Sequence, residues 1–406
     1  MNARSLHRRP LPARSRGVTL VELMVASALG LLVALAVTTA VVSSGRQFSI
    51  ISANATAQNS AQIGLSLLDL AGRGAGAGFY ANRQPLCPTW NAYNGSALVS
   101  NGGRFMPARI TDGGSAGASD TVVFTGGSGA RALTAAPVMM NTTGSNIQVA
   151  NAGAFADNDY ALLGAPGSGQ PCTLFQVTGA PTATSACGGN ANECQVLVRN
   201  PNQGLNPGPT AFTNNPTFGF SSGGGAHGPA TVSRVGSVAN GFRQDAFTVQ
   251  CASLVRYNAF VTAALPPCTA APLAFGAGVD AIATDVVLMH AQYGVSNSPA
   301  SDVVEQWVNA SGPTWGGTPA EADISRIKAV RIVLVARGRE PDGAMVSVAC
   351  TNTAGVANTG PCSFEDAAAP VIDLSSVPVP AGRGWQNYRY RVHAAVIPLR
   401  TVIWSD

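Results

Sequence analysis

The sequence predicts an α+β protein: one long N-terminal α-helix, its first half membrane-spanning, packed on an antiparallel β-sheet body with long loop insertions. Three observations lead there. Of 26 prolines none falls between Pro12 and Pro85, so a helix can run unbroken through that interval. Residues 23–45 carry no charged side chain, which is enough to cross a bilayer core of about 30 Å. Beyond residue 79, short apolar and β-branched runs alternate with Gly-, Pro- and Asn-rich stretches, the pattern of strands and turns.

The helix is predicted from Val18 to about Ala71, where Gly72, Gly74, Gly76 and Gly78 follow in quick succession and end it. At 1.5 Å per residue it would be about 80 Å long. Its first half, about 20–43, is apolar on every side, as a helix surrounded by lipid or other apolar helices must be. Ala26, Gly30, Ala34 and Thr38 recur every four residues. Such a small-residue ridge lets helices approach closely, although Ala and Gly are common enough in this chain to give the spacing unaided. In the second half Ile63, Leu67 and Leu70 follow helical spacing and are expected to lie on the sheet, with Gln58, Asn59 and Gln62 facing elsewhere. The glycine run is no dinucleotide loop, because Phe79 stands where G-x-G-x-x-G needs its last glycine.

Only 11% of the 406 residues are charged, against about a quarter in ordinary soluble domains. Arg4, Arg8, Arg9, Arg14 and Arg16 precede Val18 and no acid does; subtracting those five from the net +4 leaves −1 for the rest. The body is not basic, and no nucleic-acid binding is predicted. The same arginines set topology. Only Arg46 follows the apolar run closely, so the N-terminus is expected in the cytoplasm and the body outside the inner membrane.

All eight cysteines, Cys87, Cys172, Cys187, Cys194, Cys251, Cys268, Cys350 and Cys362, lie in that outer part. An even number in an oxidising compartment reads as disulfides. Cys187/Cys194, Cys251/Cys268 and Cys350/Cys362 are close in sequence, which leaves Cys87 with Cys172, but spacing alone permits many other pairings. A metal site is disfavoured, since no C-x-x-C occurs and His7, His227, His290 and His393 are scattered. No cofactor is expected.

In the body, residues 120–126, 172–179, 194–200 and 245–261 read as strands, and an insertion at about 100–245 reads as long loops and short hairpins. Residues 278–296 read as a short helix running into a strand that ends at Tyr293-Gly294. Residues 324–338 read as one strand. Residues 387–404 alternate, with Tyr388, Tyr390, Val392 and Ala394 opposite Arg389, Arg391 and His393. Catalysis is not expected. No H-E-x-x-H occurs, and His290 and His393, the candidate bases, fall within predicted strands. Arg389 and Arg391 read as a solvated face. Asp112, Asp120, Asp157 and Asp159 lie near loops, and Asp157-Asn158-Asp159 lacks the continuation of a calcium loop.

Glu22 stands at the head of the apolar run, where an acid is costly. A cleaved signal peptide would have a shorter core without it, and a plain anchor gives it no purpose. Gly17-Val18-Thr19-Leu20-Val21-Glu22 resembles the prepilin signal of type IV pilins and type II secretion pseudopilins. That signal is a basic leader ending in Gly, then a hydrophobic residue, Thr, Leu, an aliphatic residue and Glu. The resemblance implies cleavage between Gly17 and Val18 by a membrane prepilin peptidase, and N-methylation of Val18, where the family most often has Phe. Thr19, Leu20 and Glu22 would be the processing and assembly motif. Glu22 would neutralise the α-amine of a neighbouring subunit, relieving an otherwise unpaired carboxylate.

The segments 278–296, 324–338 and 387–404 resemble the core of PilW-like minor pilins, although Leu399-Arg400-Thr401 departs from the usual Leu-Arg-Asn ending. The resemblance implies a pilin-like fold in three parts: leader 1–17, helix 18–75 and body 76–406. It implies a minor pilin that primes pilus assembly at the tip. Its partners would be prepilin peptidase, other minor pilins, the major pilin, the inner membrane and a tip adhesin. A type II secretion pseudopilin and a pilin-anchored adhesin or ligand-binding module are the alternatives. The first is disfavoured by length and by Glu22, which the large tip pseudopilin usually lacks.

Overall fold

A computed structural model describes Gly17 and residues 19–81, 84–95, 97–127, 135–139, 145–165, 169, 171–179, 182–187, 190–207, 230–237, 242–262, 265, 268, 278–379 and 382–404. The chain divides into two compact units, 1–53 and 54–406. The helix α1 (Leu20–Arg73) supplies the first and continues into the second.

Within the first unit Leu20–Ser52 has a mean hydropathy of 2.4, is long and apolar enough to cross a membrane, and buries none of its apolar window in protein. Its hydroxyls turn back onto the helix. Ser27 donates to the Met24 carbonyl at 2.9 Å, Thr38 to Ala34 at 2.7 Å and Ser43 to Ala40 at 3.0 Å. An apolar span can therefore carry Ser and Thr without leaving donors unsatisfied.

In the second unit α1 buries Ala61, Gly64, Leu68 and Gly72, spaced three and four apart along one face. This corrects the expectation for Ile63 and Leu70, which are 55% and 69% exposed, whereas Leu67 is half-buried and packs against the core as expected. The reason is close approach. A Cβ on Gly64 would lie 2.6 Å from Leu254 Cδ2, and one on Gly72 would lie 2.4 Å from Ile397 Cγ2. The glycines let the helix axis come near the strands around the fully buried Leu68, while Ile63 and Leu70 point away. Gly76, at φ +85°, turns the chain out of the helix.

The strands follow in order: β1 (Tyr80–Ala81), β2 (Gln84–Pro85), β3 (Thr89–Asn94), β4 (Ala97–Arg104), β5 (Ala108–Thr111), β6 (Thr121–Gly126) and β7 (Ala135–Pro137). Next come β8 (Asn146–Val149), β9 (Asp159–Gly164), β10 (Cys172–Gln176), β11 (Thr182–Cys187), β12 (Asn190–Val198), β13 (Thr231–Ser237), β14 (Arg243–Gln250) and β15 (Ser253–Asn258). The last are β16 (Val279–Thr284), β17 (Val286–Val295), β18 (Gln306–Asn309), β19 (Ile327–Arg337), β20 (Cys350–Thr351), β21 (Ala357–Asn358) and β22 (Tyr390–Pro398). Short helices α2 (Gly312–Trp315), α3 (Glu321–Ile324) and α4 (Arg400–Trp404) also occur among the described residues.

Three sheets matter for function. The order β4-β3-β10-β9-β13-β7 is antiparallel except for β3 beside β10, where Trp90 pairs with Cys172. The order β16-β15-β14-β6-β5 is an antiparallel meander, and β18-β17-β19-β22 closes the chain. All of β17 is buried, as is β19 up to Arg337, so both read as near-continuous apolar runs. An aromatic cluster joins the parts: Phe79 stacks on Phe105 at 4.2 Å, and Phe242 meets Phe260 edge-on at 5.0 Å.

Strands expected at 120–126, 172–179 and 194–200 are β6, β10 and β12, and within the insertion at 100–245 Ile147, Val149, Leu163, Phe175, Leu197 and Val232 form a core of their own. Two further expectations are corrected. Residues 279–284 are a strand and not a helix; Asp285, at φ +65°, makes the tight turn into β17. The last strand stops at Pro398, which lacks the N–H to continue a ladder, and α4 follows where alternation was expected.

Candidate functional site: the helix start and the disulfide-bonded body

Residues 1–16 and Val18 lie outside the described residues, so the geometry of the site begins at Gly17 and Thr19. Glu22 Oε2 accepts from the Thr19 backbone N–H at 3.0 Å and from its hydroxyl at 3.0 Å, while Thr19 Oγ1 accepts from the Glu22 N–H at 3.3 Å. Thr19 O accepts from the Leu23 N–H at 3.1 Å, the first bond of the helix. This is a capping box, in which residue and carboxylate satisfy each other's helix-end groups. The T-x-x-E spacing signals the cap, a role that the prepilin resemblance leaves out. Among the described residues Glu22 Oε1 has no hydrogen-bond partner, so the carboxylate can hold its own helix start and still meet a cation. Leu20 is exposed at the first helical position. Ala26, Gly30, Ala34 and Thr38 are exposed too, and the space above Gly30 is open.

The body is held by disulfides. Cys87 bonds Cys172, Cys251 bonds Cys268 and Cys350 bonds Cys362, with Cα separations of 5.6, 5.5 and 5.6 Å. Cys194 is also disulfide-bonded; Cys187, the partner expected for it, has a side chain outside the described residues.

His290, on β17, sits between two acceptors: Nδ1 is 3.4 Å from Asp120 Oδ2 and Nε2 is 3.0 Å from the Ala116 carbonyl. Asp120 also accepts from the Gly113 and Ala291 N–H groups at 2.9 and 2.8 Å. The ring therefore clamps the β5–β6 loop to the last sheet. Gly113-x-Ser115-x-Gly117 in that loop has the letter spacing of a hydrolase elbow but not its context. It joins two strands rather than a strand and a helix, and His290 Nε2 is engaged by Ala116. His393 lies half-buried on the edge strand β22, its pKa pushed down by burial and by Arg391. His7 and His227 lie outside the described residues.

Asp157 is exposed, whereas buried Asp159 takes a two-pronged bond from Arg234 at 2.6 and 2.8 Å and the Ala156 N–H at 2.7 Å. That carboxylate is occupied by the fold. Asp112 accepts from Gly114 N–H at 2.6 Å. Among the described residues no group of three His, Cys, Asp or Glu side chains gathers as a metal site. Arg389 pairs with Asp342 at 2.9 Å, and Arg391 is exposed. Arg331 escaped the sequence reading, though a charge inside "IKAVRIVLV" is its signal. Its buried guanidinium pairs with Asp366 and Gln292 between the rings of Trp307 and Phe364, at 4.8 and 4.5 Å.

A disulfide-bonded β body on one helix, whose first turn carries a prepilin-type motif and whose apolar segment is long enough to span a bilayer, fits a membrane-anchored pilin-class subunit. A sequence profile of the prokaryotic N-terminal methylation motif matches residues 12–38. A profile of the type IV pilus-assembly protein W family matches residues 273–401, the stretch that builds β16 to β22. No curated protein and no solved structure matches the chain. Together the two matches support a type IV pilin, PilW-like, in the role of a minor pilin. Pilins are structural, non-enzymatic components, and the resemblance implies prepilin processing and contact with other pilus parts.

Proposed function

We propose that this minor pilin waits in the inner membrane with its leader 1–17 in the cytoplasm, is cut after Gly17, and is N-methylated at Val18. It then joins other minor pilins in a complex that primes assembly and remains at the pilus tip, its body having a pilin-like fold. One observation carries this reading. Glu22 is the lone acid at the head of an exposed apolar helix, capping its own first turn through one oxygen while the other is open. A carboxylate so placed in an apolar surround is costly until a cation meets it. The α-amine of a neighbouring subunit supplies that cation and sets the register of insertion.

The cap and the charge are separable. Glutamine can replace Glu22 in a capping box but cannot neutralise an amine, whereas Thr19→Ala removes the cap and keeps the charge. In cells with a prepilin peptidase, Glu22→Gln should be cleaved yet fail to enter filaments, and Thr19→Ala should still enter. Gly17→Arg should remain at full size on an immunoblot. Normal piliation with Glu22→Gln, or an equal defect in Thr19→Ala, would remove the role given to the charge. Cleavage of Gly17→Arg would remove the processing site.

A further inference from the structure

A cavity of about 380 Å³ opens between the β3–β4 hairpin and the strands β5, β6 and β14. Arg109 pairs with Val123, and Thr125 with Gln244; directly opposed residues share a face of the sheet, so one wall of the cavity is a single sheet face. The hairpin supplies the facing wall with Asn101 and Arg104, and Trp90, Phe105 and Met106 give an apolar floor. Nearly all of it lies in residues 90–125 and 244–259, which neither family profile covers.

Its chemistry is one-sided. Two arginines line the cavity and, among the described residues, no carboxylate does. Arg104 is anchored, donating through Nη1 to the Pro319 carbonyl at 2.6 Å. The Arg109 side chain is exposed, and its guanidinium has neither a hydrogen bond nor an ion pair among the described residues. An uncompensated guanidinium in a concave wall favours an anion, and its planar fork fits a carboxylate two-pronged. The uncharged lining is polar as well. The side chains of Asn101, Thr125, Gln244 and Thr318 make no hydrogen bond among the described residues. Amides and hydroxyls both donate and accept, which suits a ring of hydroxyl groups better than a fully ionised phosphate, which only accepts. The volume falls in the range of about 300–1,000 Å³ usual for small-molecule sites.

We infer that this cavity binds an acidic sugar, its carboxylate on Arg109 and its hydroxyls on Gln244, Thr125 and Asn101. This goes beyond the filament role and does not depend on it. The test uses the full chain in detergent, titrated with D-glucuronate, D-glucose and acetate and followed by saturation-transfer NMR. Glucuronate should bind about tenfold more tightly than glucose, the scale of one charge-assisted contact. Arg109→Gln should bring glucuronate down to the glucose level, and Gln244→Ala should weaken both sugars. Arg391→Gln, on another sheet, should change nothing. Circular dichroism should show the variants folded, since Arg109 holds no other residue. Failure of glucuronate to bind, equal binding of glucose, or insensitivity to Arg109→Gln would overturn the proposal. So would acetate competing as well as glucuronate, which would leave an unspecific anion site.

Discussion

His290 faces oxygen on both sides, and a neutral imidazole has only one N–H to give. Burial opposes its charge, but the hydrogen bond and charge of Asp120, the Ala116 carbonyl and the charge of Asp112 outweigh it and raise the pKa above the ordinary value. A histidine whose folded pKa exceeds its unfolded one adds stability that is complete below the unfolded pKa. That stability is lost as pH rises through the folded value. Urea midpoints of the wild type, with disulfides intact, should therefore fall as pH rises from about 6.5, and those of His290→Gln should fall less. Parallel curves for the two proteins would show that the clamp does not depend on the imidazolium. Asp366 has the opposite sign. Arg331 above all holds its pKa below the usual carboxylate range, so its part persists at neutral pH and is lost only in acid.

At the scale of elements, the packing of α1 turns on two glycines. Gly72→Ala should gain helix propensity worth about 1 kcal/mol. Yet the new methyl would meet Ile397 Cγ2 at 2.4 Å and the Phe124 ring at 3.2 Å, and overpacking of this kind costs about 1–3 kcal/mol. A net loss in chemical denaturation is expected for Gly72→Ala and little change for Gly74→Ala, where a Cβ meets nothing nearer than 3.7 Å. Equal stability of the two variants would remove close approach as what sets the helix. The existence of α1 is legible in the sequence because the prolines stop at Pro12 and resume at Pro85. Its buried face is not, because hydrophobic counting selects Ile63 and Leu70 while the contact runs through Gly64, Leu68 and Gly72. The strand at 279–284 was hidden for a similar reason, a turn made by Asp285 at positive φ without glycine. The motif around Glu22 can be read as letters. The cavity cannot: Arg109 and Gln244 are far apart in sequence and meet only through the register of β5, β6 and β14.

Across the whole molecule the disulfides differ in what they constrain. Cys87–Cys172 closes 85 residues and Cys350–Cys362 closes 12. Chain entropy assigns about 4–5 kcal/mol to the first and about 3 to the second. Replacing Cys87 and Cys172 by Ala should thus cost more in denaturation than replacing Cys350 and Cys362. The reverse order would mean that native contacts around the shorter loop outweigh unfolded-state entropy. The larger loop also spans the parallel pairing of β3 with β10, a non-local contact that forms slowly. The chain has one lysine, Lys328, at 1% exposure, with its Nζ donating to the Pro299 carbonyl at 2.8 Å. With that lysine buried and bonded, the other amine for amine-reactive reagents to take is the α-amine at the head of the chain. Acylation of the native protein then becomes a readout of whether that amine is free, methylated or covered by a neighbour.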